Sequence, residues 1–213
     1  MINSRELKQA KSTLKLTRQQ RHVLIGVLLG DAHLESDTSG QTFRLKIEQS
    51  VRHAAYVEHL YELFSDWVTT NPRARTRQAI GRNPTTSIGF QTLRHGVFRF
   101  YFHQFYRQGK KCVPKLIHRW LTPQAIAYWL MDDGSIKSKQ SKGILFNTHG
   151  FCRGDVERLA KVLADKFSLS TSLRKQQDGI QIYVSGESYP TFVDLVEKYL
   201  TPDMRYKLPP PRR

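Results

Sequence analysis

Two apolar stretches of this chain each stop at an acid: Leu24-Ile-Gly-Val-Leu-Leu-Gly-Asp31 and Ile126-Ala-Tyr-Trp-Leu-Met-Asp-Asp133. Each reads as a helix with a carboxylate at its C-terminal edge. Between them the period changes. Over 41–50, Phe43, Leu45 and Ile47 alternate with Thr42, Arg44, Lys46 and Glu48, the pattern of a half-buried strand after a turn at Ser39-Gly40. Residues 53–67 return to helical spacing, with Tyr56, Leu60, Leu63, Phe64 and Trp67 on one face. Arg73, Arg75 and Arg77 alternate again. A turn is expected at Gly81-Arg82-Asn83-Pro84, then a strand over 86–92 and a helix over 95–106.

The order repeats after Asp133. A strand, a turn near Ser141-Lys142-Gly143 and a strand over 144–149 precede a helix over about 154–167 with Val156, Leu159, Ala160 and Leu163 inward. A hairpin follows, 169–176 and 180–185, turning at Asp178-Gly179. A last helix covers about 189–200. The ends echo as well, Trp120-Leu-Thr-Pro123 against Tyr199-Leu-Thr-Pro202. The reading is an α+β chain of two pseudo-symmetric αββαββα halves. The division expected is 1–110, with a basic N-terminal arm, and 111–213, with no long linker and the motif helices at the interface.

Charge narrows the partner. Lys and Arg number 34 against 18 Asp and Glu, a net charge of +16 and a pI near 10.1, which points to a polyanion and above all to nucleic acid. No amphipathic basic helix stands out for a membrane, and no apolar run approaches the roughly 20 residues that span a bilayer. The basic segment from Met1 to Arg21 has no apolar signal core and reads as a helical arm rather than a presequence. Cys112 and Cys152 make neither a metal quartet nor a disulfide framework, so a reducing compartment is the default.

The two acids carry the chemistry. A helix C-terminus is partially negative, so a carboxylate there is electrostatically misplaced. Two such misplacements indicate a shared task, and holding divalent metal is the obvious one. Gly26 and Gly30 lie one turn apart, where small residues let another helix approach and bring the acids together. Metal ions that work as a pair sit about 3.5–4 Å apart, so their ligands must lie close together. The last helical carbonyls, those of Gly30 and Asp132, lack intrahelical partners and are open to the same ions. Oxygen-only ligation suits Mg²⁺ or Mn²⁺. Tyr128 and Asp132 stand where the first motif has Gly26 and Gly30, so the helices cannot meet symmetrically. That favours one chain carrying both motifs, a monomer. Asp132 is a possible side-chain ligand, with Asp133 preferred.

These residues resemble the LAGLIDADG homing endonucleases. The name's last aspartate falls on Asp31 and on Asp133, and the likeness extends over about residues 16 to 209. Leu28-Leu-Gly-Asp-Ala32, Ala127-Tyr-Trp-Leu-Met-Asp-Asp-Gly134 and Tyr206-Lys-Leu-Pro209 are similar to the single-chain, two-motif members, with Ala32 in place of the terminal glycine. The resemblance implies a concave saddle of antiparallel sheets on double-stranded DNA and site-specific double-strand cleavage with Mg²⁺ or Mn²⁺. It implies metal at Asp31 and Asp133 with the Gly30 and Asp132 carbonyls. An RNA maturase acting on its host intron is the alternative, and a catalytically dead DNA-binding regulator a third reading. Organelle origin is implied by family habit alone.

A phosphoryl transition state also needs positive charge or a proton relay. Lys111, before Cys-Val-Pro114, and Lys207, before Leu-Pro209, follow the strands of their own halves and match the lysines that the family places in its active sites. Lys110 rivals Lys111. Base reading is expected from outward strand positions, since a two-stranded ribbon fits the major groove. The candidates are Arg44, Lys46, Glu48, Arg73, Arg75, Arg77, Gln91, Lys137, Lys139, Asn147, Arg174, Gln181 and Tyr183. His33, His95 and His149 have no zinc spacing. Tyr101, Phe102, Phe105 and Tyr106 read as core rather than a stacking platform.

Overall fold

The computed structural model of the protein describes residues 9, 11–79, 81–138 and 140–209. The repeat is explicit in the element order. The first set is α1 (Arg18–Leu29), β1 (His33–Ser36), β2 (Phe43–Ser50), α2 (Ala54–Leu63), β3 (Arg73–Ala79), β4 (Arg82–Gln91) and α3 (Val97–Phe105). A short ladder, β5 (Tyr106–Arg107) with β6 (Lys110–Lys111), and the single turn α4 (Ile117–Trp120) lead to the second set. That set is α5 (Pro123–Asp133), β7 (Gly134–Ile136), β8 (Ile144–Asn147), α6 (Arg153–Phe167), β9 (Thr171–Gln176), β10 (Gly179–Val184) and α7 (Tyr189–Val196). Both four-stranded sheets are antiparallel with the same order, β1-β2-β4-β3 and β7-β8-β10-β9. No helix among the described residues is long and apolar enough to cross a membrane.

The chain packs as two compact units that interleave along the sequence. One holds the described residues up to Arg21 with Ala32–Phe102; the other holds His22–Asp31 with the described residues from His103 on. Both apolar motif runs therefore lie in the second unit.

In the first unit, α1 starts on a capping box. Gln20 donates its N–H to Thr17 Oγ1 at 3.1 Å, and Thr17 returns its own N–H to Gln20 Oε1 at 2.9 Å. Strand β2 buries Phe43, Leu45 and Ile47 as its alternation requires, and α2 lays Tyr56, Val57 and Leu60 over them, continued by Phe64 and Trp67. Leu63, expected on that face, is half-buried, and Val57 takes the core place. The turn expected through Pro84 lies earlier. Strand β4 begins at Arg82, and Pro84 falls where the register shifts between Arg77↔Thr85 and Ala79↔Arg82, so its missing N–H breaks no regular pair.

In the second unit, Thr122 caps α5 by accepting the Ala125 N–H at 3.2 Å, with Pro123 in the first turn. Every residue from Ala125 to Met131 is buried, as is every residue from Val23 to Gly30; a helix apolar all round belongs at the centre of a fold. Trp129 stacks on Phe146 of β8 at 4.1 Å between centroids, and α6 adds Val156, Leu159 and Leu163. The hairpin turn is Gln177-Asp178, one residue before the expected pair, because Gly179 already faces Gln176. At φ 149°, with a Cβ position only 2.9 Å from His149 Cα, Gly179 is a strand residue that must stay small.

Candidate active site

The two motif helices meet at the glycines of the first motif. A Cβ on Gly26 would lie 2.4 Å from the Ala125 carbonyl oxygen and 2.7 Å from Tyr128 Cβ. One on Gly30 would lie 2.4 Å from Asp132 Cβ. The glycines of one helix thus receive the side chains that break the pattern in the other, which is the asymmetric contact expected from Tyr128 and Asp132. Gly26→Ala should lower stability by about 1–3 kcal/mol, the usual range for overpacking, because the Ala125 backbone cannot yield. Chemical denaturation of the purified variant measures this.

That contact gathers acids and lysines at one end of the pair. Asp31 is exposed, two residues past the end of α1 in the turn to β1, while Asp133 is the last residue of α5 and half-buried. The Asp31 N–H donates to Asp132 Oδ2 at 3.2 Å, so the Asp132 carboxylate braces the two motif ends. Lys111 Nζ donates to the Gly30 carbonyl at 2.5 Å. Lys207 Nζ, at the end of the 3₁₀ segment Pro202–Lys207, donates to the carbonyls of Gly134 at 2.8 Å and Asp132 at 3.3 Å. Successive strand residues face opposite ways, so Lys110 is exposed when Lys111 turns inward. The structure thereby brings together Asp31, Asp132, Asp133, Lys111, Lys207 and Gly30, and leaves Lys110 outside.

Burial in this cluster displaces its proton affinities. It pushes the Asp133 carboxyl up to about 7, helped by the negative charge of Asp31 and opposed by Lys111 and Lys207. Lys111 and Lys207 are pushed down by burial against the pull of the three carboxylates. Acid and base affinities so converge, as they do where protons are exchanged. Among the described residues no three His, Cys, Asp or Glu side chains form a cage. The donors here are instead carboxylate and carbonyl oxygens, a set that fits Mg²⁺ held by one or two carboxylates and completed by substrate phosphate. His95 has structural work, its Nδ1 accepting the Val97 N–H and its ring edge-on to Trp67.

The sheets place most of the expected base-reading residues on shared faces. In the first unit, the pairs Glu35↔Arg44, His33↔Lys46, Lys46↔Gln91, Arg73↔Gly89, Arg75↔Ser87 and Arg77↔Thr85 put these side chains on the outward face, where Arg44, Lys46, Arg73, Arg75, Ser87 and Gln91 line a groove with Glu48 and Asn71. Two carboxylates order the cations there. Glu35 pairs with Arg44 at 2.6 Å and Lys46 at 3.5 Å; Glu48 pairs with Arg77 at 3.2 Å and accepts Ser87 Oγ at 2.6 Å. The Ser87 hydrogen bond, with Arg77 and Lys46, holds Glu48 below the usual carboxylate range, although burial opposes it. Glu35 and Ser87 join the expected residues on this face; the period-two alternation carried one strand back, past Leu34, is the sequence signal for Glu35.

The described strands of the second sheet contain no Asp or Glu. Gln181 Nε2 donates to Asn147 Oδ1 at 2.6 Å, and Tyr183 lies beneath the Arg174 guanidinium at 3.8 Å with Lys137 Nζ at 5.5 Å. Lys139 lies outside the described residues.

A repeated αββαββα order, two like sheets and two motif helices that meet at the glycines of the first, each leading to an acid, define the LAGLIDADG class of fold. Residues 21–192 match the LAGLIDADG DNA endonuclease family, and the chain belongs to that family. It is 31% identical over 212 residues to the probable intron-encoded endonuclease 1 of Wickerhamomyces canadensis, covering 97% of this chain and 91% of that one. It is 30% identical over 198 residues to the cytochrome b mRNA maturase bI2 of Debaryomyces hansenii, covering 91% and 74%. Among solved structures, the homing endonuclease I-WcaI bound to its DNA recognition sequence superposes with a TM-score of 0.91 at 31% identity, over 97% of this chain and 93% of that one.

Proposed function

We propose that this protein is a monomeric homing endonuclease that hydrolyses both strands of a long, specific DNA site. The observation that carries it is the gathering of both motif acids and two inward lysines on the glycine contact. Asp31 and Asp133, with the Gly30 and Asp132 carbonyls once Lys111 and Lys207 turn from them to the substrate, would hold Mg²⁺ or Mn²⁺. Bound metal supplies a Lewis acid for the phosphate and a water of lowered pKa. Asp132 keeps the two motif ends in register. Lys111 and Lys207, lowered in proton affinity, exchange protons at the reacting oxygens or neutralise charge that develops there. The repeat halves are 1–110 and 111–213, each with its own reading sheet. An organelle origin is supported by the intron-encoded endonuclease and the cytochrome b mRNA maturase among its relatives.

The test is cleavage of plasmids that carry candidate intron-insertion sites, with Mg²⁺ or with chelator. A linear product that requires metal and one insertion site supports the reading; uncut plasmid at every site sinks it. The maturase relative gives the RNA alternative a specific basis, and splicing of the host intron with added protein is its assay.

The outward faces separate positioning from reading. With a net charge of +16, affinity for DNA should fall steeply with salt, by a slope of about −0.9 per phosphate contact. Ala at Arg44, Lys46, Glu48 or Gln181 should instead relax preference at one or two base pairs, at about 1–3 kcal/mol for the preferred base. A binding selection over randomised sites at two salt concentrations checks both. A uniform loss across all sequences would reduce the faces to a phosphate clamp.

A further inference from the structure

Neither inward lysine is held only by its own side chain. Two residues after Lys111, the Val113 backbone is gripped on both sides by an ion pair on α6. The Val113 N–H donates to Asp155 Oδ2 at 2.9 Å. Arg158 Nη1 donates to the Val113 carbonyl at 3.1 Å and to Asp155 Oδ1 at 2.6 Å, closing a three-membered ring of contacts. Asp155 is 7% exposed and Val113 is 1% exposed, so this clamp is deep in the second unit. On its other side the segment is fixed by the Tyr106↔Lys111 pair and by the Cys112 N–H donating to the Phe105 carbonyl at 2.7 Å. Lys111 therefore stands between a ladder and a clamp. Two residues after Lys207, a different device does the same job: the Tyr189 hydroxyl donates to the Pro209 carbonyl.

The geometry points to Asp155 with Arg158, and separately Tyr189, as positioning residues that each serve one lysine and thereby one of the two strand cleavages. The inference rests on the proposed roles of Lys111 and Lys207. Its physical basis is that Lys111 reaches the Gly30 end of the site while Lys207 reaches the Asp132 and Gly134 end. An ammonium at the tip of a four-carbon stem is placed no better than its Cα. A removed clamp lets that Cα drift, and a displacement of about 1 Å in a catalytic group costs on the order of 10²-fold in rate. A residue that merely supported the fold would slow both strands together, because the motif helices that hold the acids are shared.

The experiment labels the two strands of a target duplex with different dyes and follows each cleavage separately in Mg²⁺. Asp155→Ala should slow by about 10²-fold the strand that Lys111→Met slows, and leave the other nearly unchanged, so that nicked duplex of one polarity accumulates. Asp155→Asn, which keeps a carbonyl oxygen for the Val113 N–H, should show a smaller loss with the same bias. Tyr189→Phe should slow the strand that Lys207→Met slows. Should Asp155→Ala fail to fold, Asp155→Asn and Tyr189→Phe carry the comparison. Equal slowing of both strands by the clamp variants, with the lysine variants still strand-selective, overturns the positioning role. If Lys111→Met and Lys207→Met themselves slow both strands equally, the division of labour between the lysines is wrong and the proposal falls with it.

Discussion

Asp31→Asn and Asp133→Asn should each leave a folded protein that binds its target and makes no double-strand break. Asn keeps the shape of the side chain but removes the negative oxygen that a hard cation requires. The fold should not suffer, because relieving a carboxylate at a helix C-terminus removes an unfavourable contact with the dipole. At Asp133 the gain has a pH signature. Its carboxyl is raised from 3.8 to about 7, so between those values the native state holds a proton that the unfolded chain has released. Native stability therefore falls as pH rises through that window. In chelator, the melting temperature of Asp133→Asn should exceed that of the parent above pH 7, and the difference should vanish below about pH 4. Cleavage and binding assays on the same preparation check the first part, and thermal melts across pH the second. Normal double-strand cutting by either variant would remove that acid from the mechanism.

Lys111→Met and Lys207→Met should retain DNA and metal binding while slowing cleavage by about 10²–10⁴-fold, the range for a positioned proton-transfer or charge-stabilising group. The half-buried aliphatic stems suit Met, so the change isolates the amine. Lys110→Met should be silent, since Lys110 points to solvent from the next position of the same strand. Single-turnover rates with saturating enzyme separate chemistry from binding. A silent Lys111→Met beside a damaging Lys110→Met would reverse the assignment.

Much of this protein was legible in its sequence because the determining physics is local. Alternation in Phe43–Leu45–Ile47 identifies a strand from the pleat alone, and the repeated order of elements follows from comparing one half with the other. The paired acids were conspicuous because each opposes a helix dipole, and Gly26 and Gly30 were visible as a place for another backbone. Local rules failed by a residue or two where tertiary pairing decides. Pro84 was read as turn but is tolerated in β4 at a register shift, and the hairpin turn moved to Gln177-Asp178 because Gly179 pairs across it.

What the tertiary structure alone decided is partnership across long separations. Sequence could not show that Asp132 would fill the gap at Gly30 and accept the Asp31 N–H, nor that the first motif run would join the second unit. It left Lys110 and Lys111 as rivals, and the fold turns Lys111 to the Gly30 carbonyl and Lys110 to solvent. It held no sign that Asp155 and Arg158 would seize the Val113 backbone, because an acid and a base three apart on a helix ordinarily face only each other and water. Identity and period along a chain determine which elements form and which charges are out of place. Which distant groups end up beside those charges depends on how buried surfaces fit, and that is a property of the folded molecule.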